Sequence, residues 1–149
     1  MFDISFDCDP KQKSPDYMVF KNIIEKIVLI QKIKSVQISY IFGDDNLLLD
    51  LKNRFFKQNH FTDVIAFRLN DYDNPFVEGE VYISLPRAKE NAIIFNELYE
   101  KEVARLIIHG FLHLIGYLDE TDEEKNKMTN LENMLLEKVR WSNLFNEDK

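Results

Sequence analysis

Residues 2–7 read Phe-Asp-Ile-Ser-Phe-Asp, and residues 36–42 read Val-Gln-Ile-Ser-Tyr-Ile-Phe. Apolar side chains recur at every second position in both stretches, which predicts two β-strands. Between them, apolar side chains from Phe20 to Ile30 follow helical spacing, and Ser14 followed by Pro15 is typical of a helix start. A strand, a helix and a second strand in this short length predict a parallel βαβ unit at the start of the chain.

The rest of the chain alternates further strands and helices. Asp44 or Asp45 is expected to cap a helix whose apolar stripe is Leu47, Leu48, Leu51 and Phe55. Residues 64–69 and 77–85 predict two strands joined by a polar hairpin loop, residues 70–75. Three helices are then expected: from Pro86 to about Phe95, over 96–115, and from the capping box at Thr121 through Val139. The prediction is one α+β domain over 1–149, with a small mixed sheet of about four strands, several helices and a metal site on a helix in its C-terminal half.

Composition limits the classes of protein to which the chain can belong. Its 149 residues suit one domain, and its 45% hydrophobic content is enough to fill a core. No apolar run approaches the roughly 20 residues of a membrane span, and the first residues lack the basic start of a secretory signal. A lone cysteine, Cys8, cannot form an internal disulfide, so we expect a cytoplasmic protein.

The net charge of −7 argues against a protein that coats nucleic acid by bulk attraction. It leaves room for a local basic groove, for which the candidates are Lys52, Arg54, Lys57, His60, Arg68, Arg87 and Lys89. An ordinary solvated face is the alternative interpretation of these charges.

The segment from His109 to Asp119 carries the candidate chemistry. His109 and His113 are four residues apart on a predicted helix, which places both imidazoles on one face, one turn apart. Gly116 is well placed to end the helix, and Asp119 follows within reach as a third ligand. Two histidines and one carboxylate leave a position open on zinc, as in catalytic sites, where the pKa of a bound water falls to roughly 7. The alternative is a pair of buried core histidines.

The spacing also resembles the zinc proteases of the metzincin class, H-E-x-x-H-x-x-G-x-x-H. Those enzymes have at the second position the Glu that serves as general base, and this chain has Gly110. A metzincin-like peptidase is therefore a distant alternative.

The same segment resembles the YbeY family of rRNA maturation factors, whose signature is H-G-x-L-H-L-x-G-Y-D-H. The likeness continues in residues 62–67, Thr-Asp-Val-Ile-Ala-Phe, in residues 79–84, Gly-Glu-Val-Tyr-Ile-Ser, in the helix from Arg87 and in the closing helix with Met128 and Glu132. The resemblance implies a zinc-dependent endoribonuclease-like protein with one zinc per chain. It further implies action in small-subunit rRNA processing and ribosome quality control, with RNA and the small ribosomal subunit and its proteins as partners.

Three positions depart from the family pattern. Asp119 stands where the family has its third histidine, with Glu120 as a spare carboxylate. Phe56 stands where the family has an arginine thought to contact phosphate, and Glu80 stands where a strand motif has aspartate.

The resulting hypothesis is a zinc ion held by His109, His113 and Asp119 that activates water or polarises a phosphate oxygen. Lys57 or Arg54 would stabilise the phosphodiester charge, and Glu80 or Ser84 would support the site. The competing hypothesis is a non-catalytic factor in which zinc only stabilises the fold and the protein binds RNA during ribosome assembly.

Overall fold

A computed structural model describes residues 1–145. Within those residues, four strands and five α-helices follow one another along the chain. They are β1 (Phe2–Cys8), α1 (Tyr17–Ile30), β2 (Ser35–Gly43), α2 (Asp45–Leu51), β3 (Val64–Arg68), β4 (Phe76–Ser84), α3 (Leu85–Ile94), α4 (Tyr99–Leu114) and α5 (Asp122–Lys138). None of these helices is long and apolar enough to cross a membrane.

The four strands form one mixed sheet in the order β1-β2-β4-β3. β1 and β2 pair in parallel, as do β2 and β4, whereas β3 and β4 form an antiparallel hairpin. The α+β class, the mixed four-stranded sheet and the βαβ start are therefore confirmed.

One face of the sheet carries the main core and receives α4. The buried side chains of β2 that point to this face include Ile38, Tyr40 and Phe42. The Tyr40 hydroxyl donates a 2.8 Å hydrogen bond to the carbonyl of Ile107 in the middle of α4. This bond joins the sheet to the helix that carries both candidate histidines. It therefore helps to position the two histidines relative to the sheet.

Gly110 allows α4 to lie close to the sheet. A Cβ atom added there would stand 2.5 Å from Val81 Cγ1 and 3.3 Å from Val64 Cγ2, well inside ordinary contact distance. The helix then ends at a turn in which Gly116 has φ +106°, a conformation that glycine adopts without a steric penalty. The expected role of Gly116 as the helix stop is confirmed.

The segment after α2 differs from the sequence prediction. Asp44 caps α2 as expected, but the α-helix ends at Leu51 and continues as one π-helical turn, Lys52–Phe56. Phe55 is 60% exposed and does not continue the apolar stripe, because the wider turn rotates it out of line. Lys57 closes the turn with φ 53°.

Two helix starts are also corrected. Asp16, not Ser14, caps α1, and its side chain accepts a hydrogen bond from the Val19 amide, while the Ser14 hydroxyl donates to the Pro15 carbonyl. α4 begins at Tyr99 rather than 96, because Asn96 has φ 53° and lies in the turn that follows α3. The capping box at Thr121 is present as predicted.

Candidate metal centre

Three possible ligand atoms converge at the C-terminal end of α4. His109 Nε2 and His113 Nε2 lie 3.0 Å apart, and Asp119 Oδ2 lies 3.2 Å from the first and 3.3 Å from the second. The histidines come from successive turns of α4, and the turn at Gly116 brings Asp119 back to them. All three side chains are half-buried, so they remain accessible from solvent.

The donor set fits a tetrahedral metal ion such as zinc. Imidazole and carboxylate bonds to zinc of about 2.0–2.1 Å place neighbouring ligand atoms about 3.3 Å apart. The three measured separations are close to that value. Two imidazoles and one carboxylate occupy three positions and leave a fourth for water or substrate, so the cluster can hold a metal with an open site.

Glu132 orients the first histidine. It lies on α5, is 5% exposed, and its Oε2 is 2.5 Å from His109 Nδ1. With Nδ1–H donating to this carboxylate, the Nε2 lone pair of His109 points into the cluster, as metal ligation requires. The sequence shows Glu132 only as a match to a family position, because nothing local links it to a histidine 23 residues earlier.

The two histidines have opposite electrostatic environments. Burial opposes protonation of His109, but the hydrogen bond and charge of Glu132, helped by Asp119 and Asp63, raise its pKa. Burial and the neighbouring His109 charge lower the pKa of His113, and the pull of Asp119 does not offset them. His113 therefore stays neutral and available as a ligand over a wider pH range than His109.

A cleft of about 430 Å³ opens on the cluster. Besides the three ligands, it is lined by Lys52, Phe56, Gln58, Thr62, Asp63, Val64, Ile65, Ala66, Tyr72, Leu118 and Glu120. Lys52 is the one lysine or arginine among these lining residues. Lys52 and Phe56 are the first and last residues of the π-helical turn after α2, and both line the cleft.

Three residues predicted to act at the site are not brought to this cleft. Arg54 is exposed and paired with Asp50 at 3.3 Å, and Lys57 is absent from the described residues that line the cleft. Glu80 lies opposite Phe67 in the hairpin register, next to Val81, which packs against Gly110. Since neighbouring strand residues point to opposite faces, Glu80 points away from α4, where it accepts a hydrogen bond from Tyr82.

Two other members of the expected basic groove, Arg68 and Arg87, and the predicted supporting residue Ser84 make structural contacts. The guanidinium of Arg68 donates to the carbonyls of Leu114 and three hairpin residues, so it fastens the β3–β4 loop to the end of α4. Arg87 pairs with Asp45 and Glu90. Ser84 caps α3 and donates to Asp45, which leaves it a structural rather than a cleft residue.

A second cavity of about 270 Å³ shares Asp63, His109 and Asp119 with the cleft that opens on the cluster and is also lined by a buried acid, Glu102. Glu102 is 2% exposed, accepts a hydrogen bond from Asn91, and has Oε1 3.6 Å from Arg105 Nε without a hydrogen bond. Burial raises the pKa of Glu102 to about 7, and the partial compensation by Asn91 and Arg105 is smaller. Arg105 also contacts Glu132 at 3.4 Å, which links this network to His109.

Comparison with known proteins gives consistent matches. A sequence model described as Endoribonuclease YbeY matches residues 7–140. A protein of Flavobacterium psychrophilum named Endoribonuclease YbeY is 33% identical over 129 residues, 87% of this chain and 91% of its own length. One of the same name from Karelsulcia muelleri is 38% identical over 100 residues, 67% of this chain and 70% of its own. The solution structure of TM1509 from Thermotoga maritima superposes with a TM-score of 0.62 and 30% identity, over 93% of this chain and 89% of that one.

Proposed function

Because this chain belongs to the Endoribonuclease YbeY family, we propose that it hydrolyses phosphodiester bonds of RNA at the His109–His113–Asp119 cluster. The observation that carries the proposal is the convergence of three ligand atoms within 3.3 Å at the floor of an open cleft. We propose zinc, one ion per chain, as the metal, since the ligand types and their separations suit it.

Zinc bound there would supply Lewis acidity towards a water or a phosphate oxygen. The chain's own contribution is to keep the donor atoms in place before substrate arrives. Glu132 holds His109 in the tautomer that presents Nε2, and the turn at Gly116 holds Asp119 against both imidazoles. Because these groups need little rearrangement, the site is preorganised for charge stabilisation.

Lys52 is the side chain best placed to meet the negative charge of the substrate. Its ammonium lies at the cleft, 3.5 Å from Gln58 Oε1. We propose that it contacts a phosphate as a point charge, in the role that the sequence suggested for Lys57 or Arg54. Lys57 and Arg54 stay predictions as groups that stabilise the phosphodiester charge.

The packing around Gly110 argues against peptidase activity. A peptidase with this spacing needs a carboxylate one residue after the first histidine, but position 110 faces Val81 and Val64 of the sheet. The close packing there leaves no room for a side chain, so a general base cannot reach the cleft from this position.

We propose ribosomal RNA of the small subunit as the substrate, with a role in ribosome quality control and the small subunit as partner. The support is the set of family motifs in residues 62–67, 79–84 and 109–117.

Metal analysis and a cleavage assay test the proposal together. Protein purified without chelator should carry close to one equivalent of transition metal and should cleave small-subunit rRNA. The matched variants are His113→Ala, which removes a ligand, and His60→Ala, which removes an exposed histidine outside the cleft lining. We expect the first to lose metal and cleavage and the second to keep both.

Each result has a distinct meaning. Less than a tenth of an equivalent of metal would refute the metal centre. RNA binding without cleavage in fully metal-loaded protein would refute the enzyme and favour the non-catalytic factor. Cleavage that persists in His113→Ala would place the chemistry elsewhere.

A further inference from the structure

Two exposed aromatic rings line the metal cleft. Phe56 is 42% exposed and Tyr72 is 61% exposed, and both border the same cleft as His109 and His113. They come from different segments, the π-helical turn after α2 and the β3–β4 loop. Neither ring is part of the buried core, so both rings are available for contact with a ligand in the cleft.

Both rings are held in place by groups behind them. Phe56 is stacked on Phe67 with centroids 5.8 Å apart and planes at 20°, and Phe67 in turn meets the edge of Tyr82. The Arg68 guanidinium lies 5.1 Å from the Tyr72 ring centroid, and Arg68 is itself fixed by its hydrogen bond to the Leu114 carbonyl. Rings held in this way lose little conformational entropy when a ligand stacks on them.

The ammonium group of Lys52 lies close to the Phe56 ring at the cleft. Lys52 Nζ lies over the Phe56 ring, 4.7 Å from its centroid, so a base that stacks on this face takes the place of the ammonium, which is then released to meet a phosphate. A nucleotide presents the complementary pair, a flat base and a phosphate. Proteins that hold single strands combine aromatic rings for the bases with cations for the backbone in this way.

We infer that Phe56 and Tyr72 form a base-stacking subsite that takes unpaired nucleobases of an RNA strand next to the metal ligands. The inference rests on the proposed function, because it assumes that the cleft receives RNA. In a duplex the base faces are covered by their neighbours, so stacking on a protein ring requires bases that are splayed out. The subsite would hold the strand by its bases in a cleft where Lys52 is the one lysine or arginine among the described lining residues.

Binding of two labelled strands to the metal-loaded protein tests this subsite. One strand is a single-stranded oligonucleotide, and the other has the same backbone with abasic sites in place of the bases. Affinities are measured by fluorescence anisotropy at one fixed salt concentration, and gels verify that the strands stay intact. The variants are Phe56→Leu, which keeps an apolar contact to Phe67 but has no ring, and Phe56→Trp, which keeps a ring.

Phe61→Ala is the matched control. Phe61 is 52% exposed and has the Arg87 guanidinium 5.1 Å from its ring, but it does not line the metal cleft. We expect Phe56→Leu, and likewise Tyr72→Leu, to weaken binding of the base-bearing strand by about 5- to 150-fold. Binding of the abasic strand should change less than about twofold, and Phe56→Trp and Phe61→Ala should bind both strands like the parent protein.

Equal losses on both strands, or no loss on either, would overturn the stacking subsite. A parent protein that binds both strands equally well would overturn it too. If the parent protein binds no RNA at all, the proposed function itself is refuted, so the two failures are distinguishable.

Discussion

Replacing Glu132 by glutamine should weaken metal binding without removing a ligand. Glu132 is 5% exposed and its carboxylate receives the Nδ1–H of His109. Glutamine preserves the size of the side chain and one acceptor oxygen but removes the negative charge that makes the imidazole a stronger donor. Changes to such supporting carboxylates cost about 10- to 100-fold in metal affinity, or about 1.4–2.8 kcal/mol.

The surroundings of Glu132 reduce the expected loss of metal affinity. The same carboxylate contacts Arg105 Nη1 at 3.4 Å through its other oxygen, so part of its charge is already compensated. Removing the charge also lowers the pKa of His109, which Glu132 now raises, and so reduces the competition between proton and metal at low pH. The loss should therefore be largest near pH 8 and smaller near pH 6.

Competition with a chromophoric zinc chelator at pH 6 and pH 8 measures this effect. Glu137→Gln is the matched control, because it removes the same charge from an exposed position on the same helix. If Glu132→Gln binds zinc within about threefold of the parent protein at pH 8, the carboxylate does not set the ligand strength of His109. An equal loss in Glu137→Gln would instead indicate a general charge effect.

Three further outcomes are expected. Gly110→Ala should lower the free energy of unfolding by about 1–3 kcal/mol in urea denaturation, because its methyl group would meet Val81 at 2.5 Å, and Val81→Ala in the same chain should restore part of the loss. Asp119→Ala should lower the bound metal measured by mass spectrometry, whereas Glu120→Ala should not; the reverse result would make Glu120 the third ligand. Burial raises the pKa of Glu102 to about 7, so the folded protein holds this proton more tightly than the unfolded chain does, and the free energy of unfolding falls as pH rises through 7. Glu102→Gln should therefore be more stable than the parent protein at pH 8, by up to about 3 kcal/mol, and equally stable near pH 4.5; a constant difference at both values would contradict the raised pKa.

The elements with a clear period were predictable from the sequence. The alternation of apolar residues in 2–7 and 36–42 predicts β1 and β2. The four-residue spacing of His109 and His113 predicts that both potential metal ligands lie on one helical face. These features depend on neighbours within one turn or one pleat, which a sequence displays directly.

The features that were missed depend on contacts between distant segments. Glu132 reaches His109 only because α5 packs beside α4, and Lys52 lines the cleft from a π-helical turn that no periodicity indicates. The strand motif predicts Glu80 at the site, but the pairing of β3 with β4 decides which face of the sheet Glu80 occupies. A shift of one residue in strand register reverses that face, so a motif alone does not define it.

The small positive charge at the metal cleft bears on how an RNA strand would be held there. Asp119 brings a negative charge to a position where a neutral imidazole would leave the metal site more positive, and Lys52 is the one lysine or arginine lining the described cleft. With a net charge of −7 for the whole chain, long-range attraction for a polyanion is weak. Affinity for RNA would then have to come from short-range contacts, and the proposed stacking on Phe56 and Tyr72, both exposed, is a contact that does not depend on charge. In the proposed subsite, Phe56 would therefore offer a base contact at the position where the family arginine is expected to offer a phosphate contact, while the proposed metal ligands stay on α4 and the turn that follows it.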